Sequence, residues 1–323
     1  MKKFINVIFV TYIFIENVAT ENFIFSVIIS IYNTGKYLKD SIGSLLNQSI
    51  NLDKIQIILV NDGSKDKTEE ICLMYKKNYP KNIEYIKIEH SGVSKARNIG
   101  VKFAKGKYIN FLDADDKWDK NAFKYVFLFF QFYRKINILG CRIILFEALS
   151  SYHPLDYKFY KTRIVNINEE YNCILLSSSS SFFRRSLIKN KKFKEGVFNG
   201  EDTRFINSLL LLNPFIGILK EAVYYYRKRA DSSSAVQNSE LKEDYYFSIM
   251  NLVNDYLINE SKRLYNKILP FIQFYLGYNM LFRISFPAYK YLESNKLNKY
   301  FQHFEKILNQ IEDKYILNKK FFL

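Results

Sequence analysis

Between residues 25 and 118 the chain switches repeatedly between two hydrophobic periods, and each switch outlines an element. FSVIISIYN (Phe25–Asn33) is an apolar run ending in polar residues, the pattern of a strand covered on both faces. Tyr37, Leu38, Ile42, Leu45 and Leu46 then fall at helical spacing. IQIILVNDGS (Ile55–Ser64) predicts a second strand, and Asp66 with Glu69 forms a capping box for a helix running through Tyr75. IEYIKIE (Ile83–Glu89) alternates like a third strand. SKARNIGVKFAKG (Ser94–Gly106) predicts a helix that buries Ala96, Ile99, Phe103 and Ala104 and is stopped by Gly106. In GKYINFLDADDKW (Gly106–Trp118), Tyr108, Ile109, Phe111 and Leu112 make a fourth buried strand that stops in acid.

Strands alternating with helices predict a doubly wound α/β half-domain, in which ligands bind beyond the carboxyl ends of the strands. Those ends carry Tyr32 and Asn33, then Asp62, then His90, then Asp113 and Asp115. Strand interiors hold few polar residues, so this convergence on one rim points to a site. Asp62-Gly63 alone could be an ordinary turn. Asp113, Asp115 and Asp116 repel one another unless a cation neutralises them, and their hard oxygens suit Mg2+ or Mn2+ completed by a diphosphate. The bland alternative is a solvated turn in which Asp116 or Asp119 caps the helix beginning near Asn121. No dinucleotide fingerprint or phosphate loop is present, so phosphates are not cradled by a glycine-rich backbone. Asp62 can accept from a base-edge N–H. Arg97 can reach a base or a phosphate, although most helix arginines snorkel to solvent.

Further on, residues 121–133 predict a helix and residues 136–147 an apolar strand interrupted by Arg142. LLSSSSSFFRRSLI (Leu175–Ile188) reads as a solvated loop or edge strand, with no role assigned to a single serine. Glu201 and Asp202 follow Gly200 and precede a helix, which would make Asp202 a cap. Residues 240–323 read as helices rich in Tyr, Phe, Leu and Lys. Within them, residues 268–282 are uncharged, contain Pro270 and are too short to span a bilayer. That segment is either the core of a helical subdomain or lies at a membrane interface. The first residues, MKKFINVIFVTYIFIEN, resemble a signal peptide without a convincing cleavage site and are taken as an interfacial segment or an extension.

The chain has 323 residues, room for one large domain with a helical appendage. Its net charge of +16 calls for a negative partner: nucleic acid, an anionic membrane or a phosphorylated substrate. Cys72, Cys141 and Cys173 are odd in number and far apart, which gives no disulfide framework or zinc spacing and fits a reducing cytosol.

VIISIYNTGKYL, ILVNDGSKDKT, GVSKARNIG with AKGKYINFLDADD, and NGEDTRF, in that order and spacing, resemble the family-2 glycosyltransferases, inverting nucleotide-sugar enzymes. The resemblance implies the GT-A fold: an α/β, Rossmann-like mixed sheet flanked by helices, here with a C-terminal helical region. It implies a catalytic domain over residues 25–235, preceded by residues 1–24 and followed by residues 236–323. It places Ser30, Tyr32, Asn33, Asp62, His90 and Arg97 around the base, Asp113 near the ribose, Ala114 beside it, and Asp115 on Mn2+ or Mg2+ at the diphosphate. Ser30 stands where proline is usual and His90 where asparagine is common, which leaves the base contacts open. Asp202 would be the base that deprotonates the acceptor hydroxyl and Glu201 would orient the acceptor, while Arg229 and Ser234 would close over the diphosphate. The only Trp is Trp118, so the Gln-x-x-Arg-Trp signature of processive synthases is absent. The expected function is therefore metal-dependent transfer from a nucleotide sugar, a UDP-sugar first, to a glycan or lipid-linked acceptor in surface polysaccharide synthesis. The expected location is the cytoplasm, with peripheral contact at the inner membrane open and no nucleic acid expected. An inactive sugar-binding scaffold and a basic nucleic-acid binder are the alternatives.

Overall fold

The computed structural model describes residues 23–197, 199–231, 243–284 and 288–316. Among them, ten strands form one mixed sheet with the central order β3-β2-β1-β4-β9-β6-β10-β5. Its first half is the expected parallel unit: β1 (Phe25–Ile31), α1 (Gly35–Leu46), β2 (Ile55–Asp62), α2 (Thr68–Asn78), β3 (Ile83–Ile88), α3 (Val93–Phe103) and β4 (Tyr108–Asp113). β1 pairs in parallel with β2 and β4, with Ser30 opposite Val60 on one side and Asp113 on the other. Central strands covered on both faces cannot alternate, which is why β2 is buried at every position.

The second half brings antiparallel neighbours. After β5 (Lys117–Trp118) and α4 (Ala122–Phe132) come β6 (Ile138–Glu147), β7 (Ser151–Tyr152), β8 (Arg163–Asn166) and β9 (Ser181–Arg184). The short helix α5 (Arg185–Ile188), α6 (Glu201–Leu210) and β10 (Phe215–Lys228) follow. β9 lies between β4 and β6 and runs antiparallel to both. The serine segment expected as a solvated loop or edge strand is therefore interior: Ser178, Ser179 and Ser181 are fully buried. Their hydroxyls find acceptors inside the protein, and that is what permits the burial.

Local details also depart from expectation. Asp66 accepts the Thr68 N–H at 3.1 Å, but Glu69 turns to Tyr85 and Lys87 and does not close a capping box. Phe103, expected inside, is 44% exposed. α3 ends at Phe103, so Gly106 is not its stop. Gly106 instead lets the chain pass against β1: a Cβ there would stand 2.4 Å from the Phe25 carbonyl carbon. Its N–H donates to the buried Ser26 hydroxyl at 2.7 Å, which in turn donates to Gln56.

The C-terminal part begins with α7 (Glu243–Ser248), continues through a π turn (Ile249–Asn254) into α8 (Asp255–Tyr265), and adds α9 (Pro270–Ile284), α10 (Ser294–Leu308) and α11 (Asp313–Ile316). α9 buries Phe271, Ile272, Phe274, Tyr275, Leu276 and Met280 on all sides, so the interface reading of this segment gives way to the core reading. Gly277 allows α11 close: a Cβ would sit 2.5 Å from the Tyr315 carbonyl oxygen. These helices share one apolar cluster with the sheet face that carries Ile28, Ile58 and Phe111. No helix among the described residues is long and apolar enough to cross a membrane. The three cysteines are buried and free. The residue 1–24 expectation falls mainly, and that for Ser234 wholly, outside the described residues.

Gly106→Ala places a methyl against backbone that cannot yield. It is expected to cost about 2 kcal/mol or more, read as a lower urea midpoint with an unchanged slope.

Candidate active site

Several chain segments converge beyond the carboxyl ends of β1, β2 and β4. β1 ends in Ser30, half-buried, and Tyr32, whose exposed ring stacks on His90 with centroids 4.0 Å apart. Asn33 takes a positive φ of 50°, donating its N–H to Ser64 and accepting the Lys65 N–H at 2.8 Å. It thereby ties the loop after β1 to the loop after β2. Asp62, at the end of β2, is buried, and its two oxygens accept the backbone N–H groups of Ser91 and Gly92 at 2.8 and 2.9 Å. His90 Nδ1 lies 3.0 Å from the same carboxylate. Asp62 thus shapes the loop that presents His90. Oδ2 meets both Gly92 and His90, whereas Oδ1, bonded by the Ser91 N–H, retains a second lone pair.

At the centre stands Arg97 on α3. Its side chain is only 3% exposed, so it does not snorkel. Its guanidinium meets Asp113 at 3.0 Å, Glu201 at 2.8 Å and Asp202 at 2.7 Å, and lies over the Phe193 ring. Burial opposes its charge, but Asp202, Asp113 and Glu201 outweigh that and raise its pKa. Asp202 accepts from both the N–H and the hydroxyl of Ser178, at 3.1 and 2.7 Å, and Asp113 accepts from the Ser179 hydroxyl at 2.7 Å. Burial, followed by the charge of Asp202, pushes the Glu201 carboxyl up to about 7, with Arg97 opposing. Asp202 is raised by burial and by Asp113, against Arg97 and Ser178. Asp202 does not cap its helix; its carboxylate is spent on Arg97 and Ser178.

The acidic stretch divides by direction. Ala114 is buried in the core, and Asp115 turns to Arg229, which bonds its Oδ2 from Nε at 2.9 Å and from Nη2 at 2.7 Å. Burial raises the Asp115 carboxyl, Arg229 pulls it back and Asp113 adds to the rise. Asp116 is neither a solvated cap nor a ligand. It is buried beneath the site, accepting from the Tyr224 hydroxyl at 2.6 Å and the Arg227 N–H at 2.7 Å. Burial, then Asp115 and Asp113, pushes its carboxyl well above the usual range. No side chain caps the helix that follows Asn121; Asp119 accepts the Asn121 N–H at 2.9 Å in the turn before it.

Among the described residues no three His, Cys, Asp or Glu side chains converge as a metal cage. Asp115 already holds one cation, the Arg229 guanidinium. A hard carboxylate of this kind fits Mg2+ or Mn2+, which take one or two protein carboxylates and draw their other ligands from water and substrate phosphate. Sequence reasoning passed over Ser178, Ser179 and Arg227. The serine run was visible but apolar flanks did not say which hydroxyl faces a carboxylate. Arg227 is buried, binds the Asp115 carbonyl oxygen at 2.6 Å and pairs with Asp40 and Glu147.

Comparison with known proteins bears on the family and the fold. The model of "Glycosyl transferase family 2" matches residues 26–190. The minor teichoic acid biosynthesis proteins GgaB and GgaA of Bacillus subtilis (strain 168) are each 35% identical over 302 residues. Those matches cover 93% of this chain and 34% of GgaB, and 90% of this chain and 68% of GgaA, so the chain spans about a third of the first relative. The crystal structure of S. aureus TarS 1-349 in complex with UDP-GlcNAc superposes with a TM-score of 0.69 at 22% identity, covering 90% of this chain and 82% of that one. The architecture is thus the expected GT-A fold, a mixed sheet flanked by helices.

Two outcomes follow from the charges around Arg97. Arg97→Met leaves three carboxylates facing one another, and is expected to cost about 3–5 kcal/mol at pH 8 and less at pH 5, where they can protonate; urea unfolding at both pH values measures it. Glu201 binds its proton more tightly folded than unfolded, because its pKa rises from the carboxylate range to about 7. Its stabilising contribution is therefore full below about pH 4 and is lost as pH rises through 7. Glu201→Gln does not titrate, so it should gain about 1–3 kcal/mol on the wild type between pH 4 and 8, read as a growing difference in Tm.

Proposed function

This chain belongs to glycosyl transferase family 2, and on that premise we propose that it moves a sugar from a nucleoside-diphosphate donor to a surface-glycan acceptor, inverting the anomeric carbon. The observation that carries the proposal is the Arg97 cluster. It holds Asp113, at the end of a donor-side strand, within one guanidinium of Glu201 and Asp202 on α6. Such an arrangement sets a donor-facing carboxylate and a base a few ångströms apart across a buried cation, as single displacement requires.

In this mechanism Tyr32 and His90 offer a ring face to the base, with Asp62, Ser30 and Asn33 at its edge, and Asp113 and Ala114 lie under the ribose. Asp202 takes the proton of the acceptor hydroxyl as that oxygen forms its bond to the anomeric carbon. The anomeric carbon–diphosphate bond breaks and its electron pair leaves with the nucleotide. Glu201 orients the acceptor. Arg229 faces the leaving diphosphate, with Ser234 in the same segment. Mn2+ or Mg2+ on Asp115, when bound, would supply electrostatic stabilisation of the leaving group. Residues 25–235 form the catalytic unit in this proposal, and residues 236–323 contribute to acceptor choice or to contacts with a membrane surface or another copy.

The donor proposed first is UDP-GlcNAc, the ligand named in the TarS complex, and the acceptor proposed is an alditol-phosphate polymer, the poly(ribitol-phosphate) for which TarS of Staphylococcus aureus is named. Thermal stabilisation by UDP, GDP, CDP and dTDP, with and without Mn2+, tests the donor site. UDP should raise Tm by a few degrees in the wild type with metal and much less in Asp115→Ala. Asp202→Asn should still bind UDP yet lose at least about 100-fold in transfer, as expected when a general base is removed. No stabilisation by any nucleotide would count against an active transferase and favour a scaffold.

A further inference from the structure

We infer that Ser178 and Ser179 are positioning residues for the transfer: Ser178 aims the Asp202 carboxylate at the acceptor, and Ser179 fixes Asp113 on the donor side. The inference rests on the assignment of Asp202 as the base.

Both serines are fully buried, so each hydroxyl must find a partner inside the protein. A buried serine can do this locally, and Ser181 does: its hydroxyl closes on the Ser177 carbonyl oxygen, 2.8 Å away, within the same turn. Ser178 and Ser179 instead point across the fold, Ser178 to Asp202 and Ser179 to Asp113, each at 2.7 Å. Consecutive residues thus hold the two carboxylates that Arg97 draws together.

The segment that carries them is braced from below. Asn110 on β4 donates through Nδ2 to the carbonyl oxygens of Ser179 and Ser181, at 2.8 and 2.9 Å. Its own amide oxygen accepts from the indole N–H of Trp118 at 3.1 Å, and the Ser180 carbonyl accepts the Cys141 N–H of β6. With three carbonyls of the run held, the two hydroxyls have little freedom to turn elsewhere. A positioned carboxylate of this sort keeps the acceptor hydroxyl in line for attack.

The pattern also distinguishes the two oxygens of Asp202. Oδ1 accepts from the Ser178 hydroxyl and from Arg97 Nη1, both at 2.7 Å. Oδ2 accepts the Ser178 N–H at 3.1 Å and no other donor among the described residues. Oδ2 is therefore the atom that receives the acceptor proton, while Oδ1 stays held. The charged groups facing Asp202 are Arg97 from α3, Asp113 from β4 and Glu201 beside it on α6. The Ser178 hydrogen bonds favour its ionised form.

The experiment follows the Asp202 carboxyl by 13C NMR across pH in protein labelled at aspartate, with Asp202→Asn assigning the signal, and measures UDP release from UDP-GlcNAc with an alditol-phosphate oligomer as acceptor. Ser178→Ala should move the Asp202 titration, and the acid limb of kcat, upward by about one pH unit, with kcat near neutrality about tenfold lower. Ser178→Thr, which keeps the hydroxyl, should return both towards wild type. Ser179→Ala should raise KM for the donor and leave the acid limb in place, and Ser181→Ala should lower Tm alone. If the Asp202 titration in Ser178→Ala coincides with wild type, or shifts equally in all three alanine variants, the serines only fill space and the inference falls. If Asp202→Asn turns over like wild type, the base assignment is wrong and both readings fall. If Ser178→Ala does not fold, Ser178→Cys, with its weaker donor, should give a shift of the same sign, and no shift overturns the inference.

Discussion

A single buried guanidinium organises the site. Arg97 sits among Asp113, Glu201 and Asp202, residues that come from β4 and from α6 nearly ninety positions later in the chain. Without it, three carboxylates would face one another in a largely dehydrated space, where each would be costly to ionise. With it, β4 and α6 are tied together by one side chain. Burial first, and then the neighbouring anions that one cation leaves uncompensated, raise the Glu201 and Asp202 pKa values. A base with a raised pKa binds a proton more readily, which suits its proposed task.

That arrangement depends on a layer of neutral donors beneath it. The serine run before β9 enters the middle of the sheet because Asn110, itself held by Trp118, and the site carboxylates satisfy its polar groups. Around Asp115 arginines play a comparable part: Arg227 binds its carbonyl and Arg229 its carboxylate. Because the protein's own acids match these arginines, they add nothing to the net charge of +16, which other basic residues carry.

The helical C-terminal part supports the site from behind. Gly200, directly before Glu201, has a φ of 86° and packs so closely on Ile249 and Val253 that a Cβ would meet Ile249 at 3.0 Å. α9 is buried along most of its length because it fills the centre of that region, and its one charge, Arg283, is buried too, so its composition needs no lipid to explain it. The same composition would suit an interfacial helix. Only the helices packed around it decide between the two.

The first 118 residues fixed much of the result by local pattern alone. Period and turn chemistry placed β1 to β4 and their helices, and the rule that ligands gather beyond parallel strand ends drew attention to Tyr32, Asn33, Asp62, His90, Asp113 and Asp115. Spacing and order in the motifs pointed to the family that the comparisons then showed. What the sequence could not decide was direction. Asp113, Asp115 and Asp116 look alike in a row, yet one meets Arg97, one meets Arg229 and one is buried under Tyr224. Five serines in succession look like solvent, yet their neighbours in space are β4, β6 and two carboxylates. Gly106 ends no helix but lets two backbones touch. Periodicity reports which face of an element is covered, because burial repeats along the chain. Which charge meets which depends on contacts between residues far apart in sequence, and those exist only once the tertiary structure has formed.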